Sequence, residues 1–179
     1  MEDRIKIIKD EGLEIEIAAY YNHQKQILLI IWLILWSIAG IGILTQFFLP
    51  GTEDMRTYLF VWMVFWLYFE YKVVYAYRWR RFGKERIYFD EERMFISREI
   101  SGRSIPIPYE VNFIKNIRLR EENPRAFFTA MGQSYWSPAG EIIAFDHKGK
   151  EIYFGMELTE SEAGKIAKEV EKQLSVLRS

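Results

Sequence analysis

Residues 27–49, ILLIIWLILWSIAGIGILTQFFL, carry no charged side chain over about 23 positions, and no other feature of the chain restricts its fold so strongly. At a rise of about 1.5 Å per residue, a helix of this length reaches about 35 Å, against a bilayer hydrocarbon core of roughly 30 Å. A helix in a water-soluble core is seldom so long and keeps at least one polar face. The pattern therefore predicts a membrane span. A second apolar run, YLFVWMVFWLYFEYKVVYAY at residues 58–77, follows after the short link 50–57. Two spans joined so closely predict an antiparallel membrane α-helical hairpin.

Lys and Arg near the span ends predict the orientation. The link holds only Arg56, whereas Arg78, Arg80, Arg81, Lys84 and Arg86 follow the second span. Lys25 precedes the first span, with Lys9, Lys6 and Arg4 further back. Both termini are expected in the cytoplasm, making the chain a multi-pass protein of the inner (plasma) membrane. Arg78, Trp79, Arg80, Arg81 and Lys84 are the expected membrane-surface anchors, with Tyr71, Tyr75 and Tyr77 at the same interface. The N-terminal sequence alternates polar and apolar residues, and its first apolar run lies deep and is long, so no cleavable signal peptide is expected. With no cysteine, disulfides, thiolate metal sites and cysteine nucleophiles are excluded. A net charge of -1 offers no global basic footprint for nucleic acid.

From residue 86 onward the helical period gives way to alternation. RIYFD, RMFISREI, SIPIPYE, FIKNIRLR, EIIAFDHKG and KEIYFG are predicted strands, with Ile117 and Leu119 on one face and Arg118 and Arg120 on the other. A hairpin turn is expected around Gly149. Thr159 and Glu162 then form a T-x-x-E capping box, and Ala163, Ile166, Ala167, Val170, Leu174 and Leu177 recur on one helical face. At the N-terminus RIKII and LEIEI read as two more strands. An isolated hairpin is marginal in water, so residues 1–20 are expected to join the sheet built by residues 86–179. The expected organisation is one split α+β cytoplasmic domain with the spans, 27–49 and 58–77, inserted between its parts.

A bent antiparallel sheet of seven or eight strands closed by one C-terminal helix resembles the PH-like architecture. FGKERIYFDEERMFISREI, then IKNIRLR, then IIAFDHKGKEIYFGMELTESEA also resemble an uncharacterised bacterial family of small two-transmembrane membrane proteins with a PH-like cytoplasmic domain. The likeness spans nearly the whole chain, and AFDHKGKEIYFG and the helix start at 158–163 are its most specific pieces. These are signatures of strand, turn and cap, so the resemblance implies a fold and no activity. Bacterial PH-like domains resemble protein-interaction or oligomerisation modules, and it is that role the resemblance implies. The chain departs from phosphoinositide-binding PH domains in the loop after its first strand, where KDEG sets Asp10 and Glu11 against an anionic head group.

Glu70 is an ionisable residue within an apolar span, which marks it as a candidate intramembrane functional group. Lys72, two positions on, does not share its helix face. Ser37, Ala39, Gly40 and Gly42 form a small-residue patch suited to a helix contact, either with the second span or with another chain. The connection 121–140 carries Phe127, Phe128, Tyr135 and Trp136 and reads as an interaction loop, for partner or lipid, or as a cover for the domain's own core. Asp146, His147, Ser134 and Ser137 make a triad only on paper, because Asp146 and His147 are neighbours on a strand and face opposite ways. No catalytic residue, cofactor or metal is expected; His23 and His147 are too few for a histidine metal site. The expected function is a non-catalytic membrane-anchored interaction module, a scaffold or accessory subunit of an inner-membrane complex. Its partners would be the lipid bilayer and other membrane subunits or itself, with no nucleic acid. The alternative is an inner-leaflet lipid or small-ligand sensor.

Overall fold

The computed structural model describes residues 4–9, 12–120 and 140–178. The chain opens with β1 (Ile5–Ile8) and β2 (Glu14–Ala18), an antiparallel pair in which Ile15 and Ile17 are buried. Two long helices follow, α1 (His23–Gln46) and α2 (Arg56–Phe82), joined through a 3-10 turn at Glu53–Met55. Asn22 sets the start of α1 about one turn ahead of the apolar run: its side chain accepts the Lys25 N–H at 3.0 Å, satisfying a donor that a helix start leaves unpaired. At the other end α2 continues past Tyr77 for more than a turn, to Phe82. Both helices are long and apolar enough to cross a membrane. They run antiparallel: the Trp66 indole N–H donates to the Trp36 carbonyl at 3.1 Å, and the same indole lies against Gly40.

Gly83 converts helix to strand in a single residue, with φ -80 and ψ 141. A Cβ there would stand 2.3 Å from the Trp79 carbonyl oxygen, so only glycine allows the chain to turn this tightly out of α2. The strands β3 (Gly83–Phe89), β4 (Arg93–Ile100), β5 (Ile107–Glu110), β6 (Ile114–Leu119), β7 (Glu141–His147) and β8 (Lys150–Met156) precede α3 (Glu160–Leu177). Pairing is antiparallel between sequence neighbours, in a five-stranded sheet β1-β2-β3-β4-β5 and a three-stranded sheet β6-β7-β8. β2 pairs with β3, Ile15 opposite Ile87, although both long helices intervene in sequence. The architecture is α+β, with α3 packed across β6 and β7.

Two strands differ from expectation. β5 starts at Ile107 rather than Ser104, because Pro106 and Pro108 lack N–H donors and confine this segment to a short sheet edge. β6 carries an irregularity between Lys115 and Arg118, with Asn116 at φ 51. A bulge of this kind resets alternation. Ile117 still packs against the core, but Leu119 is exposed.

The core lies between the sheets and α3, where Ile15, Ile87, Ile143, Phe145, Phe154 and Ile166 are fully enclosed. Along α3 Ala163, Ile166, Val170 and Leu174 face it, as the helical spacing requires. The capping box closes reciprocally: Glu162 N–H donates to Thr159 Oγ1 at 3.3 Å, and Thr159 N–H donates to Glu162 Oε2 at 2.8 Å. Burial opposes the charge of Glu162, but the Arg4 guanidinium at 2.9 Å and the Thr159 donors outweigh it and hold the carboxyl down at about 2, against an ordinary 4.5. A depressed acid stabilises fully above its unfolded value and loses that contribution as pH falls through its folded value. Glu162→Gln is therefore expected to cost roughly 2 kcal/mol near neutrality. The gap from the parent should narrow below pH 4.5 and close near pH 2, as followed by thermal unfolding in detergent.

Candidate functional site at the base of the helix pair

Among the described residues, a cluster of buried polar groups lies at the point where α1 and α2 leave the sheets. Trp79 and Arg80, in the last turn of α2, are both buried. Arg80 forms an ion pair with Glu157 at 2.9 Å, the two side chains being 5% and 4% exposed, and also donates to the Tyr20 carbonyl at 3.3 Å. The other carboxylate oxygen of Glu157 accepts the Tyr20 N–H at 2.7 Å, and its backbone carbonyl accepts Arg4 at 2.5 Å. Arg4 then reaches Glu162 at the start of α3. Glu157 sits at φ 59, a left-handed conformation that costs a non-glycine residue about 1–2 kcal/mol and persists only when its surroundings hold it. Gln26, buried near the start of α1, donates to the Tyr77 carbonyl of α2 at 3.4 Å and ties the two helix ends together.

Glu85 lies close by on β3 and is 0% exposed. Its carboxylate accepts the Gly155 N–H at 2.8 Å and the Met156 N–H at 3.1 Å, so a side chain of the first sheet satisfies backbone donors of the second. Arg98 stands 3.4 Å from it and reaches Glu141 at 2.5 Å. Burial pushes the Glu85 carboxyl above the usual carboxylate range, with Arg98 and the two N–H groups pulling against it.

The expected membrane-surface group divides. Arg78 and Arg81 are exposed, whereas Trp79 and Arg80 are enclosed by the protein itself. Lys84 is part of a charge ladder on the sheet, 3.2 Å from Glu16 and 3.9 Å from Glu99. The small-residue patch also divides: Gly40 is buried and Ser37 half-buried against α2, while Ala39 and Gly42 face outward. A Cβ on Gly40 would fall 2.0 Å from the Trp66 ring, so this glycine sets the helix separation. Ser37 donates to Glu70 Oε1 at 2.7 Å across the pair, and Lys72 stands over the Tyr68 ring at 5.8 Å. Phe127, Phe128, Tyr135 and Trp136, like Ser134 and Ser137 and the loop acids Asp10 and Glu11, lie outside the described residues. Asp146 bonds to Arg118 and Asn116. His147 meets Tyr109 and Phe113 edge-on, its basicity lowered by burial and Lys148 against the pull of Glu110. Among the described residues no three His, Asp or Glu side chains group as metal ligands.

Clefts open on the sheets among the described residues. One, of about 680 Å3, lies between the β4–β5 edge and β7–β8, with Ile96, Ile105, Ile107 and Ile152 along its walls and Arg98, Arg103 and Glu141 among its charged groups. Another, of about 650 Å3, adjoins the β1–β2 turn, where Arg86 is already paired with Glu14. Sequence reasoning missed Arg4, Gln26, Glu85 and Glu157, since no local spacing signals a contact between residues as distant as Arg4 and Glu157.

Protein-family models, curated proteins and solved structures were compared with the chain, and none matched.

Removing one member of the buried pair leaves the other charge enclosed without its partner. Arg80→Ala and Glu157→Ala should each lower stability by about 3–5 kcal/mol. The double change Arg80→Met/Glu157→Gln should cost clearly less than the sum of the single losses, because the introduced amide retains an acceptor for the Tyr20 N–H. Thermal unfolding in mild detergent measures all three variants; strictly additive losses would show that the two groups are not coupled.

Proposed function

We propose that the chain is an integral membrane protein that crosses the inner membrane twice through α1 and α2, with both termini in the cytoplasm. The sheets and α3 form a PH-like domain that acts as a non-catalytic interaction module, a scaffold or accessory subunit of an inner-membrane complex. One observation carries the membrane part: only 11% of the most apolar window of each helix is buried. Leu28, Leu35 and Ile38 of α1, and Phe60, Val61 and Phe65 of α2, point away from the protein. A helix that is apolar around its circumference yet uncovered matches lipid as its solvent, and water would meet an apolar surface far beyond the few hundred Å2 that soluble monomers tolerate. The Ser37–Glu70 hydrogen bond suits the same setting, where a polar group finds its partner on the facing helix.

The PH-like part is supported by the antiparallel meander in two sheets and the helix that closes it. A non-catalytic role is supported by the separate commitments of Asp146 and His147, which face different partners. Of the expected membrane-surface anchors, Arg80 and Lys84 are engaged within the protein, which leaves the sensor reading fewer basic groups for a head group.

The cysteine-free chain makes topology measurable with single introduced thiols. Lys6→Cys and Lys172→Cys should react with a membrane-impermeant maleimide in inside-out vesicles only, and Glu53→Cys in right-side-out vesicles only. Labelling of all three from one side would rule out two crossings. For the module itself, the full chain extracted in mild detergent should migrate as a homo-oligomer or with a stoichiometric membrane partner. A clean monomer under conditions that keep the helix pair folded would count against the scaffold reading.

A further inference from the structure

Strand register identifies which end of the domain lies against the helix pair. Gly83, directly after α2, pairs with Ile100, and Ser101 N–H approaches the Phe82 carbonyl at 3.5 Å. The turn after β4 is thus level with the last residue of α2. Ser101 and Gly102, at φ 55 and 77, fold it back so that Arg103 bridges to Ile100. Two consecutive positive φ values match the type I′ hairpin turn. Pro106 and Pro108 then delay β5, so Ser104 and Ile105 stand outside the sheet. Ile105 is 85% exposed, more than any exposed large apolar residue of the two long helices.

The charges around this turn are sorted. Arg78, Arg81 and Arg103 are exposed and form no ion pair among the described residues. Most carboxylates at the same level are engaged internally: Glu99 lies near Lys84 and Arg86, Glu141 pairs with Arg98, Glu157 with Arg80 and Glu162 with Arg4, while Glu160 at the start of α3 stays exposed. The opposite end of the domain exposes Asp90, Glu91 and Glu92 at the β3–β4 turn. The domain therefore carries a basic, partly apolar turn beside the helices, while its far end mixes Asp90, Glu91 and Glu92 with the exposed Lys148 and Lys150 of the β7–β8 turn. An exposed isoleucine next to arginines fits an anionic lipid surface, where guanidinium groups meet phosphates and the apolar side chain enters the acyl boundary.

We propose that the turn at 101–105 is a further membrane contact, in which Arg103, with Arg78 and Arg81, binds anionic lipid phosphates while Ile105 inserts, fixing the domain on the inner leaflet. This rests on the two-span reading. The test uses the full chain in nanodiscs of phosphatidylcholine alone, or of phosphatidylcholine and phosphatidylglycerol in equal parts. A nitroxide at Ser104→Cys reports docking, and one at Ile38→Cys reports the span. In the anionic discs the Ser104 label should gain oxygen accessibility and lose accessibility to a water-soluble nickel chelate. Arg103→Gln should lower the docked-to-free ratio roughly fivefold. Ile105→Ser should abolish insertion without changing the melting temperature. If the Ile38 label lies in lipid while the Ser104 label stays equally open to the chelate in both discs, docking is refuted and the span stands. A Ser104 label shielded from both reagents marks a protein contact and also refutes docking. An Ile38 label in water overturns the two-span reading and docking with it.

Discussion

The ion pair of Arg80 and Glu157 joins segments that the sequence keeps far apart: the end of α2, the turn into α3, the approach to α1 at Tyr20 and, through Arg4, the start of β1. Bringing two charges out of water costs several kcal/mol per ion and is offset only where the geometry is good and the remaining hydrogen-bonding capacity is used. Here the second carboxylate oxygen takes a backbone N–H and the guanidinium takes a backbone carbonyl, so the pair is embedded rather than merely close. Its left-handed Glu157 is held by contacts on both its side chain and its carbonyl. With Gly83 making the passage from α2 to β3 in one residue, the helix pair has no slack at its base.

Glu85 does comparable work one layer further in. The two sheets are separate hydrogen-bonded ladders, and at the end of β8 the Gly155 and Met156 N–H groups donate to Glu85 Oε2 on β3. Unpaired buried N–H groups cost about as much as a lost hydrogen bond, so a carboxylate from β3 supplies the acceptor. Arg98 and Glu141 extend the link across the same gap. The sandwich is thus pinned by polar contacts at its helix-facing end and by the apolar stripe of α3 over its core. This division accounts for the partial burial of residues that composition alone would leave on the surface.

Within the helix pair, packing and polarity are set by few residues. Gly40 admits the Trp66 ring, the indole N–H finds a carbonyl on the opposite helix, and Ser37 meets Glu70. In a hydrocarbon medium such contacts replace the hydrophobic drive that water supplies to soluble helices. Ala39 and Gly42 remain on the outer face.

The local elements were legible in the sequence because their causes are local. A charge-free stretch longer than a bilayer is thick, alternation in β2 and β3, the Lys148–Gly149 turn and the Thr159–Glu162 capping box each depend on residues a few positions apart. Even the joining of the N-terminal strands to the later sheet followed from the instability of a lone hairpin. Prolines shortened β5, and a bulge at Asn116 disturbed β6, where period alone misleads. What no spacing encodes is which charges face one another across the fold. As sequence, RWRR is four interfacial residues; in the structure, rotation about the axis of α2 turns Trp79 and Arg80 inward and leaves Arg78 and Arg81 outside. The identity of the buried partner, Glu157, depends on where β8 ends against α2, and that was decided by tertiary packing, because a buried charge selects its partner by proximity in space and not by separation along the chain.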